Sequence, residues 1–257
     1  MSSPRVSVIT ISYRDLPGLR GTVASVRAQR TSAEIEHIVI DGGSGPAVAD
    51  YLAGLDPQPA YWRSAPDRGR YDAMNQGIAR ATGDLIWLLH SGDRFADPDV
   101  VEAVRRRLDR PRTRWGYGRC RLVDADGQPI GTLGAVPFDR ARFLAGRAVI
   151  PHQATFVGAD IADRLGPYDE QFGLAADQLY LFGAALLQPP VVLDRILCDF
   201  DTTGAGSTRA IKYNFADLRR AWDVIGYYPH GSRAVARVES RCAEYYHRTR
   251  TAIQVRG

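Results

Sequence analysis

The chain holds 257 residues, 45% of them hydrophobic and 24% charged, with a formal net charge of +4. That length suits one large α/β domain or two small ones, and no apolar run nears the roughly 20 residues of a membrane span. The basic balance permits an anionic partner, yet neither a recognition-helix pattern nor an aromatic RNA-binding signature occurs, so no nucleic-acid partner is expected.

The opening stretch MSSPRVSVIT lacks the basic-then-apolar layout of a secretory signal, which leads us to expect a cytoplasmic protein. VSVITIS (6–12) is a β-branched apolar run, read as a buried parallel strand. Leu16, Leu19, Val23 and Val26 follow at helical spacing, with Pro17 where a first turn tolerates it. IEHIVID (35–41) reads as a second strand closed by a Gly-Gly-Ser-Gly-Pro turn, AVADYLAGL as a helix and AYWRS (60–64) as a short strand. In YDAMNQGIARAT (71–82), Ala73, Met74, Ile78 and Ala81 share a face, and Gly83 has the place of a C-cap. DLIWLL is a fourth strand, and the helix at 98–108 starts behind Asp97 as its N-cap.

The pattern changes after about residue 112. RWGYGRCRLVDADGQPIGTL reads as a hairpin turning at Asp126-Gly127. A short helix near FDRARFLA, the segment IPHQATFVG, a helix in the second half of YDEQFGLAADQLYLFGAALLQ and a late strand VVLDRILCDF (191–200) come next. The polar loop TTGAGST precedes two helices near 211–225 and 233–250, the second with Val235, Val238, Cys242 and Tyr245 or Tyr246 turned inward. Cys120, Cys198 and Cys242 lie too far apart for a disulfide framework or a zinc pattern.

Strands alternating with helices call for a parallel sheet with right-handed crossovers, and such sheets bind ligands beyond their carboxyl ends. Three of those ends carry polar clusters: Ser12-Tyr13-Arg14, Asp41-Gly42-Gly43-Ser44 and His90-Ser91-Gly92-Asp93. Asp93 ends the run LIWLLHSGD, where Ser91 and Gly92 leave room for a bulky ligand. An aspartate there is either a helix cap or one of the oxygen ligands that magnesium takes beside substrate phosphates. Asp41 either starts an Asx-turn or accepts N–H groups from a base on which Tyr13 stacks. Arg70 stands where a guanidinium can grip phosphate, and Asp67 and Asp72 beside it can cap the helix or pair with arginine.

VSVITISYRD, IEHIVIDGGSG, DRGRYDAMNQGIARATGD and LLHSGD stand in the order seen in family 2 glycosyltransferases of the GT-A fold, and the resemblance spans roughly residues 5–205. It implies a Rossmann-like, mostly parallel α/β sheet flanked by helices, with a smaller acceptor-side subdomain and C-terminal helices. By that likeness, residues 1–205 form the catalytic domain (1–110 for the nucleotide sugar, 111–205 for the acceptor) and 206–257 a helical extension. The implied reaction is an inverting transfer of a hexose from a nucleotide-diphosphate donor, a UDP-sugar being favoured, to an acceptor hydroxyl. Magnesium or manganese would serve as cofactor.

Carried across, the resemblance puts Ile11, Ser12, Tyr13, Asp41, Gly43, Arg70, Asp72, Ser91 and Gly92 around the donor, and Asp93 on the metal. The metal motif departs from Asp-x-Asp: it reads His90-Ser91-Gly92-Asp93, and the first carboxylate is missing. The segment YDEQFGLAADQLYLF resembles the stretch that supplies the catalytic base, which points to Asp177 rather than to Asp169 or Glu170. A sugar hydroxyl attacks well only when a carboxylate takes its proton. His152, with Gln153, matches a pair near the donor sugar or acceptor, and Arg209 in TTGAGSTR sits in a loop that resembles a cover over the donor. The basic C-terminal helix is open to three readings: a solvated element closing the domain, a homodimer contact, or a peripheral contact at the inner face of a membrane. A sugar nucleotidyltransferase or a donor-binding scaffold without turnover are the competing functions.

Overall fold

The computed structural model describes residues 4–202 and 211–254. Its first half follows the strand–helix alternation. β1 (Arg5–Ser12), α1 (Leu16–Arg27), β2 (Glu34–Asp41), α2 (Pro46–Ala53), β3 (Tyr61–Ser64), α3 (Arg70–Ile78) and β4 (Leu85–Leu88) succeed one another. The four strands are parallel, in the order β3-β2-β1-β4. Register sets Ser12 opposite Asp41 and Asp41 opposite Ser64, so the polar ends of three strands share one edge. β1 is buried from Val6 to Ser12 because both faces of the sheet are covered. On one face Leu19 and Val23 of α1 pack with Val39, Val48 and Leu52. On the other, Ala73 and Met74 of α3 cover Ile9, Ile11, Ile38 and Ile40.

Two boundaries differ from the sequence reading. α3 stops at Ile78, with Ala79 as its C-cap residue. Gly83 instead lies against β1: its N–H donates to Ser7 Oγ at 2.9 Å, and an added Cβ would sit 2.6 Å from that hydroxyl. Close packing, not helix termination, calls for glycine there. After β5 (Arg94–Phe95), α4 (Val100–Arg105) has Asp99 in the N-cap position. Asp97 lies two residues before that cap, where its Oδ1 accepts the Asp99 N–H at 2.9 Å and the Arg195 guanidinium meets its carboxylate at 2.8 Å.

The second half extends the same sheet. β6 (Trp115–Val123) and β7 (Pro129–Leu133) form the expected hairpin. α5 (Arg140–Leu144), β8 (Thr155–Gly158), α6 (Ala159–Leu165), α7 (Ala176–Leu187) and β9 (Val191–Asp201) follow. β8 joins β4 to β6 by antiparallel pairing, β9 runs parallel to β6, and β5 returns to pair with β9. Among the described residues, nine strands thus make one sheet that ties residues before and after 110 together.

α8 (Ile211–Ile225) packs on α7, and α9 (Arg233–Gln254) packs on α8. α9 overturns one expectation. Its buried residues are Ala236 and Ser240, whereas Val235, Val238, Cys242, Tyr245 and Tyr246 face solvent. The reason is electrostatic: α8 presents Arg219 and Asp223, which bind Glu244 at 2.9 Å and Arg237 at 2.6 Å across the helix pair. Those ion pairs and two small residues turn the apolar stripe outward.

Candidate active site

A cleft of about 1430 Å³ opens along the carboxyl edge of the N-terminal strands and is walled on its far side by α7 and α8. It exceeds the roughly 300–1,000 Å³ of usual small-molecule sites, which leaves room for two reactants. Ile11, Ser12, Tyr13, Gly43, Arg70, Ser91, Asp93, His152 and Asp177 all line it. Asp41, Asp72 and Gly92 stand behind that surface, and Arg209 lies outside the described residues.

The β1 end supplies Ser12 and Tyr13. Tyr13 is 59% exposed, with the Arg14 guanidinium over its ring at 4.9 Å from the centroid. Ser12 is buried, and its hydroxyl has no partner among the described residues. An orphaned hydroxyl on a cleft wall is ready for a ligand. Asp41 is fully buried and organises the neighbouring loop. Its Oδ2 accepts the N–H groups of Gly43 (3.1 Å) and Ser44 (2.8 Å) and the Ser64 hydroxyl (2.7 Å). Its Oδ1 accepts the Ser44 hydroxyl. The Asx-turn is therefore present.

α3 begins at the cleft with Gly69 in the N-cap position and no side-chain cap, leaving its first N–H groups toward the cavity. Arg70 is exposed there and forms no ion pair among the described residues. Asp72 pairs with arginine, accepting the Arg68 N–H at 2.9 Å and its guanidinium at 2.7 Å ahead of the helix. Asp67 accepts the Gly69 N–H.

Past β4, Leu89 and Ser91 continue the ladder to β1, and the Ser91 hydroxyl donates to Asp15 Oδ2 at 2.8 Å. The Asp93 backbone is pinned by the Thr22 hydroxyl, 2.7 Å from its carbonyl oxygen. Its carboxylate is 3% exposed, and Oδ1 accepts the Asp201 N–H at 3.2 Å. Gly92 has φ +95°, a left-handed value suited to glycine, and an added Cβ would lie 3.2 Å from Asp201 Oδ2. Burial, reinforced by the negative Asp201 beside it, pushes the Asp93 carboxyl well above the usual carboxylate range. Two carboxylates so placed fit a hard divalent cation, whose charge offsets their repulsion. Among the described residues no group of three or more potential ligands gathers, so substrate oxygens would have to complete the shell.

Asp201, at the end of β9, is the residue that sequence reasoning missed. It lies 108 positions from Asp93, so no local spacing announces it. Its one signal was its place at the end of a late strand. His90, also on the cleft wall, has an unpartnered Nε2. Burial, with His152 and Arg70 nearby, holds His90 well below the ordinary histidine range, and burial likewise lowers His152. Both imidazoles are neutral near pH 7. His152 Nε2 is 2.9 Å from the Tyr168 hydroxyl, and Tyr168 stacks on Tyr180 of α7 at 4.2 Å.

The rival carboxylates separate cleanly. Asp169 accepts the Gln171 N–H in a 3-10 turn, and Glu170 is bound bidentately by Arg68 at 3.0 and 2.8 Å. Asp177, in the first turn of α7, has Oδ1 on the Gln178 N–H and reaches the cleft.

An α/β sheet of this order with an acid-lined cleft at its carboxyl edge is the GT-A glycosyltransferase class. The model of glycosyl transferase family 2 matches residues 7–151, and the chain belongs to that family. A Mycobacterium tuberculosis protein called uncharacterized glycosyltransferase Rv1514c is 52% identical over 248 residues, 95% of this chain and 93% of the relative. A PGL/p-HBAD biosynthesis glycosyltransferase of the same organism is 26% identical over 182 residues, 69% of this chain and 68% of that one. Among solved structures, Staphylococcus aureus TarS 1-349 in complex with UDP-GlcNAc superposes with a TM-score of 0.68 at 14% identity, over 90% of this chain and 69% of that one. Mannosyltransferase PcManGT from Pyrobaculum calidifontis, in complex with GDP-Man and Mn2+, gives 0.60 at 17% identity, over 93% and 69%. The chain spans 41% of a longer TarS structure. At these identities the structural likeness concerns the fold.

Proposed function

We propose that this glycosyltransferase moves a hexose from a nucleotide-diphosphate donor, a UDP-sugar, to an acceptor hydroxyl by direct, inverting displacement. The observation that carries this reading is the single cleft lined by Tyr13, Arg70, Asp93 and Asp177. The UDP-GlcNAc and GDP-Man held by the two structural relatives support a nucleotide-sugar donor.

In this reading Tyr13 stacks on the base, and Asp41, buried behind the cleft wall, holds the Gly43–Ser44 loop in place beside it. Arg70 and the uncapped start of α3 bind the diphosphate. Ser12 and His90 offer their unpartnered polar atoms to donor hydroxyls or phosphate oxygens. Asp93 and Asp201 would hold magnesium or manganese, which when bound offsets the charge of a departing diphosphate. Asp177 accepts the proton of the acceptor hydroxyl as its oxygen bonds to the anomeric carbon. The bond from that carbon to the diphosphate oxygen breaks, and its electron pair leaves with the nucleoside diphosphate.

The test is a thermal-shift screen of UDP-, GDP- and dTDP-sugars with manganese, then donor turnover by wild type and Asp177→Asn. A donor that binds the native state raises the melting temperature. Binding without turnover by the wild type, with or without acceptors, would return the protein to a scaffold role.

A further inference from the structure

We infer that the outward face of α9 docks on an anionic lipid surface. The face is made by Val235, Val238, Cys242 and Tyr245, spaced by three, four and three residues along one side of the helix. Exposure runs from 45% at Val235 to 72% at Tyr245, with Tyr246 beside it at 59%. Scattered surface apolar residues need no explanation, but a helical stripe of them directed at water does.

The charges around the stripe decide what covers it. Both described acids of α9 are neutralised away from it, Glu244 by Arg219 at 2.9 Å and Glu239 by Arg147 at 3.1 Å. Arg233 and Arg237 are bound to Asp223. Arg241 is exposed beside Val238 and Cys242 and has no ion pair among the described residues. After Glu244 the sequence adds Arg248, Arg250 and Arg256 and no acid. Apolar contact, two tyrosines and unneutralised arginine match the interface of an anionic bilayer, where the aromatic ring sits at headgroup depth and the cation meets phosphate. A second copy fits less well, because a two-fold contact through this face would bring its cations against themselves.

No helix among the described residues is long and apolar enough to cross a membrane, so the contact is peripheral. α8 lies between this face and the cleft: Phe215 and Leu218 line the cavity while Arg219 holds Ser240 and Glu244 of α9. Docking on α9 therefore leaves the cleft mouth free and one helix away from the bilayer.

The test is sedimentation of the full chain with vesicles of phosphatidylcholine alone and with about one third phosphatidylglycerol added. Expected is binding to the anionic vesicles only, weakening as salt is raised. Val238→Asp should reduce it at least roughly tenfold and Arg241→Glu roughly fivefold, with unchanged melting temperature and nucleotide affinity. Three outcomes overturn the inference: no preference for anionic vesicles, variants that bind as the wild type does, or a dimer in sedimentation equilibrium that Val238→Asp dissolves.

Discussion

The two walls of the cleft are built on different principles. The first wall comes from consecutive strands: β1, β2 and β4 each end in a short polar run, and parallel register alone brings Ser12, Asp41 and the residues after Leu88 to one edge. The opposite wall is assembled over long distances. Asp177 arrives on α7, Asp201 at the end of β9 and Phe215 on α8, each held by packing against elements far away in the chain. The strand-end loops are tied each to the next by hydrogen bonds, Ser91 to Asp15 at 2.8 Å and the Arg14 N–H to Ser44 Oγ at 2.6 Å. The assembled wall is tied by packed rings instead, since the Tyr168–Tyr180 stack links α7 to His152 and, through Asn75, to α3.

The strongest way to break the comparison is at Asp177. Asp177→Asn should lower kcat by about 10²–10⁴-fold while leaving donor affinity unchanged, because the lost group takes a proton only during transfer. An equal loss of donor binding would mean that the far wall also holds the donor.

Next come the carboxylates that bridge the walls. Asp93→Asn and Asp201→Asn should each weaken manganese binding in the presence of UDP, read by electron paramagnetic resonance of the free ion. The effect of the first should be the larger, since Asp93 is the more deeply buried of the two. Unchanged affinity in Asp201→Asn would leave the ion to the first wall alone.

Arg70 tests the first wall by itself. Arg70→Ala should raise the donor Kd about ten- to a hundredfold, the loss of a charge-assisted contact, with Arg70→Lys between. Calorimetry with UDP reads this without catalysis.

A pH dependence reports on the scaffold under the first wall. Burial, then the nearby Arg27 charge, lowers His37 to about 4, and its Nε2 lies 3.0 Å from the Thr10 hydroxyl. Between pH 6.5 and 4 the unfolded chain binds the proton that the folded chain refuses, so stability rises with pH across that window. As pH falls through it, up to about 3 kcal/mol is lost. Urea unfolding at pH 7 and pH 5 should show the loss, and His37→Asn should flatten the slope. His90 and His152 act in the same direction.

Most of the first wall was legible because a parallel strand buried on both faces is a continuous apolar run, and its polar end is conspicuous. Asp177 was legible through resemblance, and its place in the first turn of α7 agrees with the segment it was read from. Asp201 was not, because β9 meets the β4–β5 turn through sheet topology that no window of sequence contains. Gly83 was misread for a related reason: glycine is a capping residue by local chemistry, and distant Ser7 claimed it instead.

α9 marks the limit most clearly. Periodicity established that Val235, Val238, Cys242 and Tyr245 share a side of one helix, since the α-helical repeat is a local property of the backbone. Which side meets the core depended on Arg219 and Asp223 of the preceding helix, and on the ion pairs they form. The sequence by itself determined the strands, the helices and the acids offered at their ends. Only the tertiary structure decided which acids face each other and which apolar stripe stays in water, because those choices are made by contacts between residues far apart in the chain.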